Sequence, residues 1–215
     1  MRRRGHRSRP SLAAPIVLAS LGACFSPRVD QPEKRWYVLD AALPSPAAAR
    51  VDATVAVGRV RPTPRTSGQR FVYRTGEHAY EADFYREFLT APSAQVGDAL
   101  RRAVEGCGLF AGVVDADSPV ESDWTIEGVL DEIHGDLRGD RWRAVLELEL
   151  YLLDESRAQP AVRLHRRYRR EVEVPEPSAA ALAEGWSRAL GEALAAWLGE
   201  VEAELSTLER ASGAR

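Results

Sequence analysis

The sequence predicts an α+β domain, in which a mixed, mainly antiparallel β-sheet carries two helices packed on one face. Two patterns support this prediction. Apolar and polar residues alternate over 142–152 and again over 162–174, as expected of strands with one buried side. Apolar residues recur every three or four positions over 96–107 and over 182–208, as expected of helices with one buried face.

The first half of the chain predicts short strands around one helix. Segments rich in aromatic and branched residues predict strands over 35–40, 51–60, 70–74, 80–85 and 109–114. The segment 80–85 is also compatible with a strand-to-helix junction. Pro92 suits the first turn of a helix, and Gly106 and Gly108 are expected to end that helix.

The second half predicts longer strands and a long final helix. A strand should run from residue 124 towards 137 with a bulge near 131–134, followed by a turn over 135–140. Ser178 is expected to cap the last helix. We expect this helix to pack on the sheet. In the alternative interpretation, its tryptophans form an edge that inserts into lipid.

The two alternating strands, 142–152 and 162–174, are predicted to form a hairpin. One register sets three acid–arginine pairs opposite each other: Glu147 with Arg167, Glu171 with Arg143 and Glu173 with Arg141. Such pairs contribute a few tenths to about 1 kcal/mol each and help to define the register. The same register sets Arg166 and Arg170 among apolar partners.

The basic run 163–170 belongs to the second of these strands. Its alternation, together with Glu147 and Glu149 nearby, predicts a solvated sheet face on which the charges are paired. The alternative is a patch that binds phosphate, lipid headgroups or an acidic partner.

The N-terminal segment predicts export and lipid attachment. Five arginines precede a short apolar stretch over 12–21, which is too short to span a bilayer. Leu21-Gly22-Ala23-Cys24 then resembles the lipobox of bacterial lipoproteins. Cys24 is therefore the predicted lipidation site, and its acyl chains would anchor the protein. The alternative is an ordinary signal peptide, cleaved elsewhere, in which Cys24 is incidental.

This interpretation divides the chain into four segments: a signal peptide (1–23), a lipidated tether (24–34), a folded domain (35–209) and a disordered tail (210–215). Cleavage before Cys24 would remove five arginines and no acidic residue, and so take the formal charge from −3 to −8. An acidic protein argues against a nucleic-acid partner. Cys107 would remain as the single free thiol, and we expect it to be buried.

Nothing in the sequence predicts an enzyme, a cofactor or a metal site. The sequence has no GxSxG, no HExxH, no glycine-rich phosphate loop and no metal-spaced cysteines. His134 lies near Asp131, Glu132 and Asp136, but acids without a second histidine are weak grounds for a metal site. We expect a binding or scaffolding protein.

Several segments resemble the ABC-type transport auxiliary lipoprotein family, which accompanies transporters with mammalian-cell-entry (MCE) domains. The matching segments are Tyr37-Val38-Leu39, Arg70–Arg74, Tyr80–Leu89, Pro92 and Gly108–Val114. Many family members carry Trp before the proline-led helix, where this chain has Phe84 and Phe88. Four residues of the matching segments are candidates for a partner interface: Tyr73, Arg74, Tyr80 and Tyr85.

The resemblance implies an accessory lipoprotein of a lipid-trafficking ABC system. It would be held by its lipid at the outer membrane, facing the periplasm, and would dock an MCE-domain protein that works with an ABC permease and an ATPase. Phe25 and Ser26 favour the outer membrane over the cell membrane, because neither is the aspartate that retains lipoproteins at the inner membrane in enteric bacteria. A ring-shaped MCE partner is compatible with a homo-oligomer. The alternative function is an assembly scaffold similar to the lipopolysaccharide-transport lipoprotein, which plugs a β-barrel.

Overall fold

The structure is a computed structural model that describes residues 33–156 and 159–213. Within these ranges the elements are β1 (Arg35–Tyr37), β2 (Val51–Pro62), β3 (Arg70–Arg74), β4 (Tyr80–Phe88), α1 (Pro92–Cys107), β5 (Phe110–Asp115), β6 (Trp124–Asp136), β7 (Arg143–Asp154), β8 (Ala161–Glu173) and α2 (Ala179–Gly213). The residues from Glu33 onward form one compact unit. The predicted signal peptide and Cys24 lie outside the described residues.

The sheet divides at β6. On one side, β7 runs antiparallel along the length of β6, and β8 is antiparallel to β7. On the other side, β2 pairs with the first part of β6 and β3 pairs with its last two residues, both in parallel. β5 extends the sheet beyond β2, while β4 and then β1 extend it beyond β3. The predicted mixed sheet is confirmed, and its longest pairings are antiparallel.

The predicted bulge in β6 lies where the sheet divides. The register shifts between Leu130 and Glu132, so that Asp131 is the extra residue. β6 pairs with β2 as far as Leu130 and with β3 from Gly135. The loop that joins β2 to β3 fills the gap between them, because the Thr66 hydroxyl donates a hydrogen bond of 2.7 Å to the Leu130 carbonyl.

The predicted register of the β7–β8 hairpin is wrong by two residues. Glu147 lies opposite Arg169, and Arg143 lies opposite Glu173. A shift of two residues keeps every side chain on the same face, so the alternation of charges could not distinguish the two registers. The three predicted ion pairs form between diagonal neighbours instead: Arg143 with Glu171 at 3.4 Å, Arg167 with Glu147 at 3.5 Å, and Arg141 with Glu173.

Both helices cover one face of the sheet, as predicted. α1 packs mainly on β2, and α2 packs on β7 and β8. The Ser178 hydroxyl accepts a hydrogen bond from the Ala181 amide at 3.1 Å, which confirms the predicted cap. Trp186 and Trp197 are fully buried, so the alternative that the tryptophans of α2 insert into lipid is wrong.

α1 ends as predicted, whereas α2 extends beyond its predicted end. Gly108 ends α1 in the left-handed conformation with φ of 67°, and Cys107 before it is buried, as predicted. Burial raises the pKa of the Cys107 thiol and so keeps it protonated. α2 continues to Gly213, so residues 210–213, predicted to be disordered, are helical. Among the described residues, no helix is both long enough and apolar enough to cross a bilayer.

The opposite face of the sheet, called the outer face below, is not covered by either helix. Phe71 of β3 and Gly135 of β6 point to the helices, because Phe71 contacts Trp186 and a Cβ on Gly135 would meet Leu182. Their neighbours Val72 and His134 therefore lie on the outer face, since side chains alternate along a strand.

Candidate functional site

The β3–β4 hairpin contains the four candidate interface residues: Tyr73, Arg74, Tyr80 and Tyr85. β4 extends to Phe88, three residues beyond the predicted strand. Its pairing with β3 is interrupted by a large bulge. Arg70 pairs with Glu87, but Val72 already pairs with Ala82, so residues 83–86 bulge out of the ladder.

Asp83 holds this bulge in place. One carboxylate oxygen accepts hydrogen bonds from the amides of Tyr85 at 2.7 Å and Arg86 at 3.1 Å. The other oxygen accepts one from the Tyr73 hydroxyl at 2.7 Å. Burial, together with this bond to a carboxylate, raises the pKa of Tyr73, so its hydroxyl stays protonated. Two of these bonds hold the bulge together, and the third joins it to β3.

The structure brings together only two of the four candidate interface residues. Arg74 and Tyr80 are opposite each other, and the Arg74 guanidinium lies 5.8 Å from the centre of the Tyr80 ring, which is 41% exposed. Tyr73 is half-buried near Trp142 on the helix side. Tyr85 is half-buried in the bulge, edge-on to the exposed Phe84. Only Arg74 and Tyr80 therefore form one outward-facing contact.

Sequence reasoning missed Arg65, which completes this contact. Arg65 comes from the loop between β2 and β3 and lies 5.7 Å from the centre of the Tyr80 ring. It also forms an ion pair of 3.0 Å with Glu132 of the β6 bulge. Arg65 reaches Tyr80 from the loop before β3, and Arg74 reaches it across the turn after β3. Loop and turn residues carry no periodic pattern, so the sequence could not show this group.

A cavity of about 280 Å³ lies beneath Tyr80. Arg65 and Glu132 are the charged residues of its lining, which also contains Thr66, Val72, Tyr80, Ile133 and His134. A larger cavity of about 490 Å³ shares Arg65, Thr66, Val72 and Ile133 with it. Together they form a shallow groove that leads from Tyr80 towards Arg70 and Glu87.

His134 lies at the bottom of this groove and is 97% buried by its neighbours, since only 3% of it is exposed. Its ring is edge-on to Tyr80 at 5.5 Å, and its Nε2 atom has no hydrogen-bond partner within the described part of the chain. Burial lowers the pKa of His134, so the ring is neutral at pH 7.

Two of the acidic residues around His134, Glu132 and Asp136, are bound to arginines. Glu132 forms ion pairs with Arg65 and Arg169, and Asp136 with Arg138 at 2.6 Å. The bond from Arg138 lowers the pKa of Asp136 to about 2. Among the described residues, no group of three or more His, Cys, Asp or Glu side chains is arranged to hold a metal ion.

The outer face of β6, β7 and β8 carries a network of ion pairs. Arg169 contacts Glu132, Glu147 at 3.0 Å and Glu171 at 3.2 Å. Arg167 contacts Glu149, and Arg163 contacts Asp154 at 2.7 Å. The predicted charge-paired face is therefore confirmed. Arg166 instead points to the helix side, where it and the Tyr168 hydroxyl bind Glu200 of α2.

Comparison with solved structures shows the fold. Protein XCC0632 from Xanthomonas campestris, of the family DUF330, superposes with a TM-score of 0.73 over 82% of this chain and 99% of its own, at 17% identity. An uncharacterized protein superposes with a TM-score of 0.58 over 80% of this chain and 99% of its own, at 18% identity. Lipoprotein GNA1162 from Neisseria meningitidis covers 69% of this chain and 97% of its own, at 9% identity and a TM-score of 0.35.

No model of a protein family matches the sequence. No curated protein is significantly similar to it. The likeness to XCC0632 extends over nearly the whole of that protein, so the sheet with its two helices is a fold that both chains share.

Proposed function

We propose that this protein is a membrane-anchored lipoprotein subunit of an MCE-type ABC lipid-transport system, which docks the periplasmic part of that system at the outer membrane. Lipid on Cys24 holds the domain at the membrane. The exposed Arg74–Tyr80 contact receives the MCE-domain protein, and a separate ATPase supplies the energy for moving phospholipid between the membranes.

One observation carries the proposal. The two segments that most resemble the transport lipoproteins, 70–74 and 80–89, fold into a single hairpin. Its turn end presents Arg74 and Tyr80 at the surface, and Arg65 joins them from another loop. Aromatic and arginine side chains are the residues that most often dominate binding energy in protein interfaces. The same hairpin follows the Leu21–Cys24 motif in the sequence, so the predicted anchor and the contact surface belong to one chain.

Photo-crosslinking in the native host tests this proposal. A photoreactive amino acid replaces Tyr80 in the full-length protein, and the adducts are identified by mass spectrometry. We expect an adduct with an MCE-domain protein. Val162 is the matched control position, because it is also exposed but lies on β8, at the other edge of the sheet.

Two results would count against the proposal. An absence of MCE adducts from positions 74 and 80, with the protein present at the membrane, would remove the docking role. An adduct with an outer-membrane β-barrel at position 80 would instead support the assembly-scaffold alternative.

A further inference from the structure

Four exposed apolar side chains lie together at the β1 edge of the sheet. Trp36 is 57% exposed, Val38 54%, Phe84 65% and Leu89 58%. We call these four residues the edge patch. They are half of the large apolar side chains that are exposed among the described residues, and such clustering marks an interaction surface.

Strand geometry brings the edge patch onto the outer face. Tyr37 contacts Phe71 in the core and Leu39 is buried, so Trp36 and Val38, which alternate with them, point the other way. Trp36 is opposite Glu87 of β4, and the Leu89 amide donates a hydrogen bond of 2.8 Å to the Tyr37 carbonyl. β1 is therefore held against β4 with its apolar side exposed.

Phe84 belongs to the same surface because the β4 bulge turns it outward. The Arg70 guanidinium lies 5.9 Å from the centre of the Phe84 ring and 3.8 Å from the Glu87 carboxylate. Glu87 in turn lies opposite Trp36. The bulge held by Asp83 thus places the Phe84 ring beside Arg70, whose partner Glu87 lies opposite Trp36 of β1.

Two cationic side chains, Lys34 and Arg70, lie beside the edge patch. Lys34 forms an ion pair of 2.8 Å with Glu87 and lies 5.9 Å from the centre of the Trp36 ring. Lys34 and Arg70 share the carboxylate of Glu87, so these three side chains together carry one net positive charge beside the rings of Trp36 and Phe84.

The position of the edge patch along the chain identifies its occupant. Trp36 follows Cys24 by twelve positions. Twelve residues span at most about 43 Å when fully extended, and a flexible segment of this length averages roughly 20 Å between its ends. If Cys24 carries the lipid, this segment keeps the β1 edge within reach of the bilayer surface.

We infer that the edge patch rests on the bilayer surface that holds the lipid of Cys24. Tryptophan prefers the boundary between headgroups and acyl chains, and phenylalanine and leucine are typical of the apolar faces that bind there. Lysine and arginine beside them attract anionic headgroups. The inference rests on the proposed lipid anchor. It also orients the domain, because the Arg74–Tyr80 contact lies at the opposite end of the β3–β4 hairpin, roughly 14 Å further along a five-residue strand.

Fluorescence quenching by lipid tests the inference. The lipidated full-length protein is reconstituted in vesicles of phosphatidylethanolamine and phosphatidylglycerol, with or without bromine on the acyl chains. Bromine quenches tryptophan at close range. We expect brominated lipid to reduce the emission of the wild-type protein, and we expect Trp36→Phe to lose most of that reduction.

The other four tryptophans provide a constant background, because Trp186 and Trp197 are fully buried and Trp124 and Trp142 are half-buried. The matched control is Trp36→Phe combined with Val162→Trp, which moves the exposed tryptophan to β8. We expect this protein to show no more quenching than Trp36→Phe alone. Circular dichroism confirms that each variant is folded.

The outcomes separate the inference from the proposed function. Mass spectrometry of the N-terminal peptide reports whether Cys24 is acylated, and an unmodified Cys24 overturns both. An acylated protein that floats with the vesicles but shows equal quenching with and without Trp36 overturns only the edge patch. A photoreactive amino acid at position 36 that crosslinks to protein rather than to lipid also overturns it, and assigns the edge patch to a partner or a second copy.

Discussion

At the scale of single residues, Asp83 shows how one carboxylate shapes a surface. It binds two backbone amides and one hydroxyl within the β3–β4 hairpin. The bulge that it holds contains Phe84, which is exposed, and Tyr85, which is half-buried. This single side chain thus connects the ladder of β3 and β4 to the exposed ring of Phe84.

Asp83→Ala should destabilise the protein by about 1–3 kcal/mol, because it leaves two backbone amides and the Tyr73 hydroxyl without their acceptor. Urea denaturation measures the free energy of unfolding. Asp52→Ala is the control, since Asp52 also lies in a strand but is exposed. Equal stability of the two variants would show that the Asp83 bonds contribute nothing.

His134 should make the stability of the protein depend on pH. Burial lowers its pKa from the ordinary value of 6.5 in the folded state, so the unfolded chain binds a proton more readily. Its contribution is therefore fully present above pH 6.5 and is lost as the pH falls below it, by at most about 1.4 kcal/mol per pH unit. Glu132 and Asp136 oppose this shift, whereas Arg169 and Arg74 reinforce it.

His134→Phe should flatten this dependence between pH 7 and pH 5, because phenylalanine keeps a flat ring beside Tyr80 but takes up no proton. Urea denaturation at several pH values measures the effect. His78→Gln, at an exposed position, should retain the wild-type slope. A His134→Phe protein with an unchanged slope would assign the pH dependence to other groups.

At the scale of elements, the β7–β8 hairpin illustrates what sequence patterns can resolve. Alternation predicted both strands, the exposed face and the partners of the ion-pair network. It did not predict the register, because basic residues recur every second position over 163–169, as Arg, His, Arg and Arg, and each alignment offers similar pairs. Near the turn the pairing shifts once more, because Leu152 lies opposite Leu164 but Leu153 lies opposite Val162.

A disulfide experiment distinguishes the two registers. Residues directly opposite have Cβ atoms about 4.5–5.5 Å apart and diagonal ones about 7–8 Å, whereas a disulfide needs about 3.5–4.5 Å. We expect Glu147→Cys with Arg169→Cys to form a bond under oxidation. Glu147→Cys with Arg167→Cys should not, and mass spectrometry of peptides distinguishes the two. A bond only in the second pair would restore the register predicted from charges.

The packing of α2 on the sheet depends on glycine at one position. A Cβ at Gly185 would lie 2.6 Å from the Cβ of Ala144 and 3.1 Å from a methyl group of Val174. Gly185→Ala should therefore push α2 away from the sheet and destabilise the protein by about 1–3 kcal/mol. Urea or thermal denaturation measures this change.

Gly199→Ala is the matched control on the same helix, because a Cβ there would meet nothing within 4 Å. It should stabilise the protein by about 0.5–1 kcal/mol, since alanine loses less backbone entropy than glycine in a helix. The two substitutions should thus have opposite signs. Equal effects would mean that α2 does not pack closely at Gly185.

At the scale of the whole molecule, anchor and fold should be separable. Cys24→Ala removes the predicted lipidation site but lies nine residues before the compact unit. We expect its melting temperature to match the wild type, while the protein leaves the membrane fraction and transport is lost. Transport that persists with the protein free in the periplasm would contradict the bridging role.

Much of the architecture follows from local patterns, but the candidate site does not. Periodicity was sufficient for the helices and strands, for the bulge near Asp131 and for the cap at Ser178. Arg65 reaches Tyr80 from a loop, and the β4 bulge places Phe84 beside Arg70. No periodic pattern in the sequence predicts either contact, because irregular segments carry no repeating pattern.

The sequence by itself determined the elements, the buried faces and the predicted anchor at Cys24, since each depends on neighbours along the chain. Only the tertiary structure decided the register of β7 and β8, the division of the sheet at β6 and the grouping of the exposed aromatic residues. These features depend on which strands meet at which offset. Side-chain alternation leaves offsets of two residues equivalent, and packing in three dimensions selects one of them.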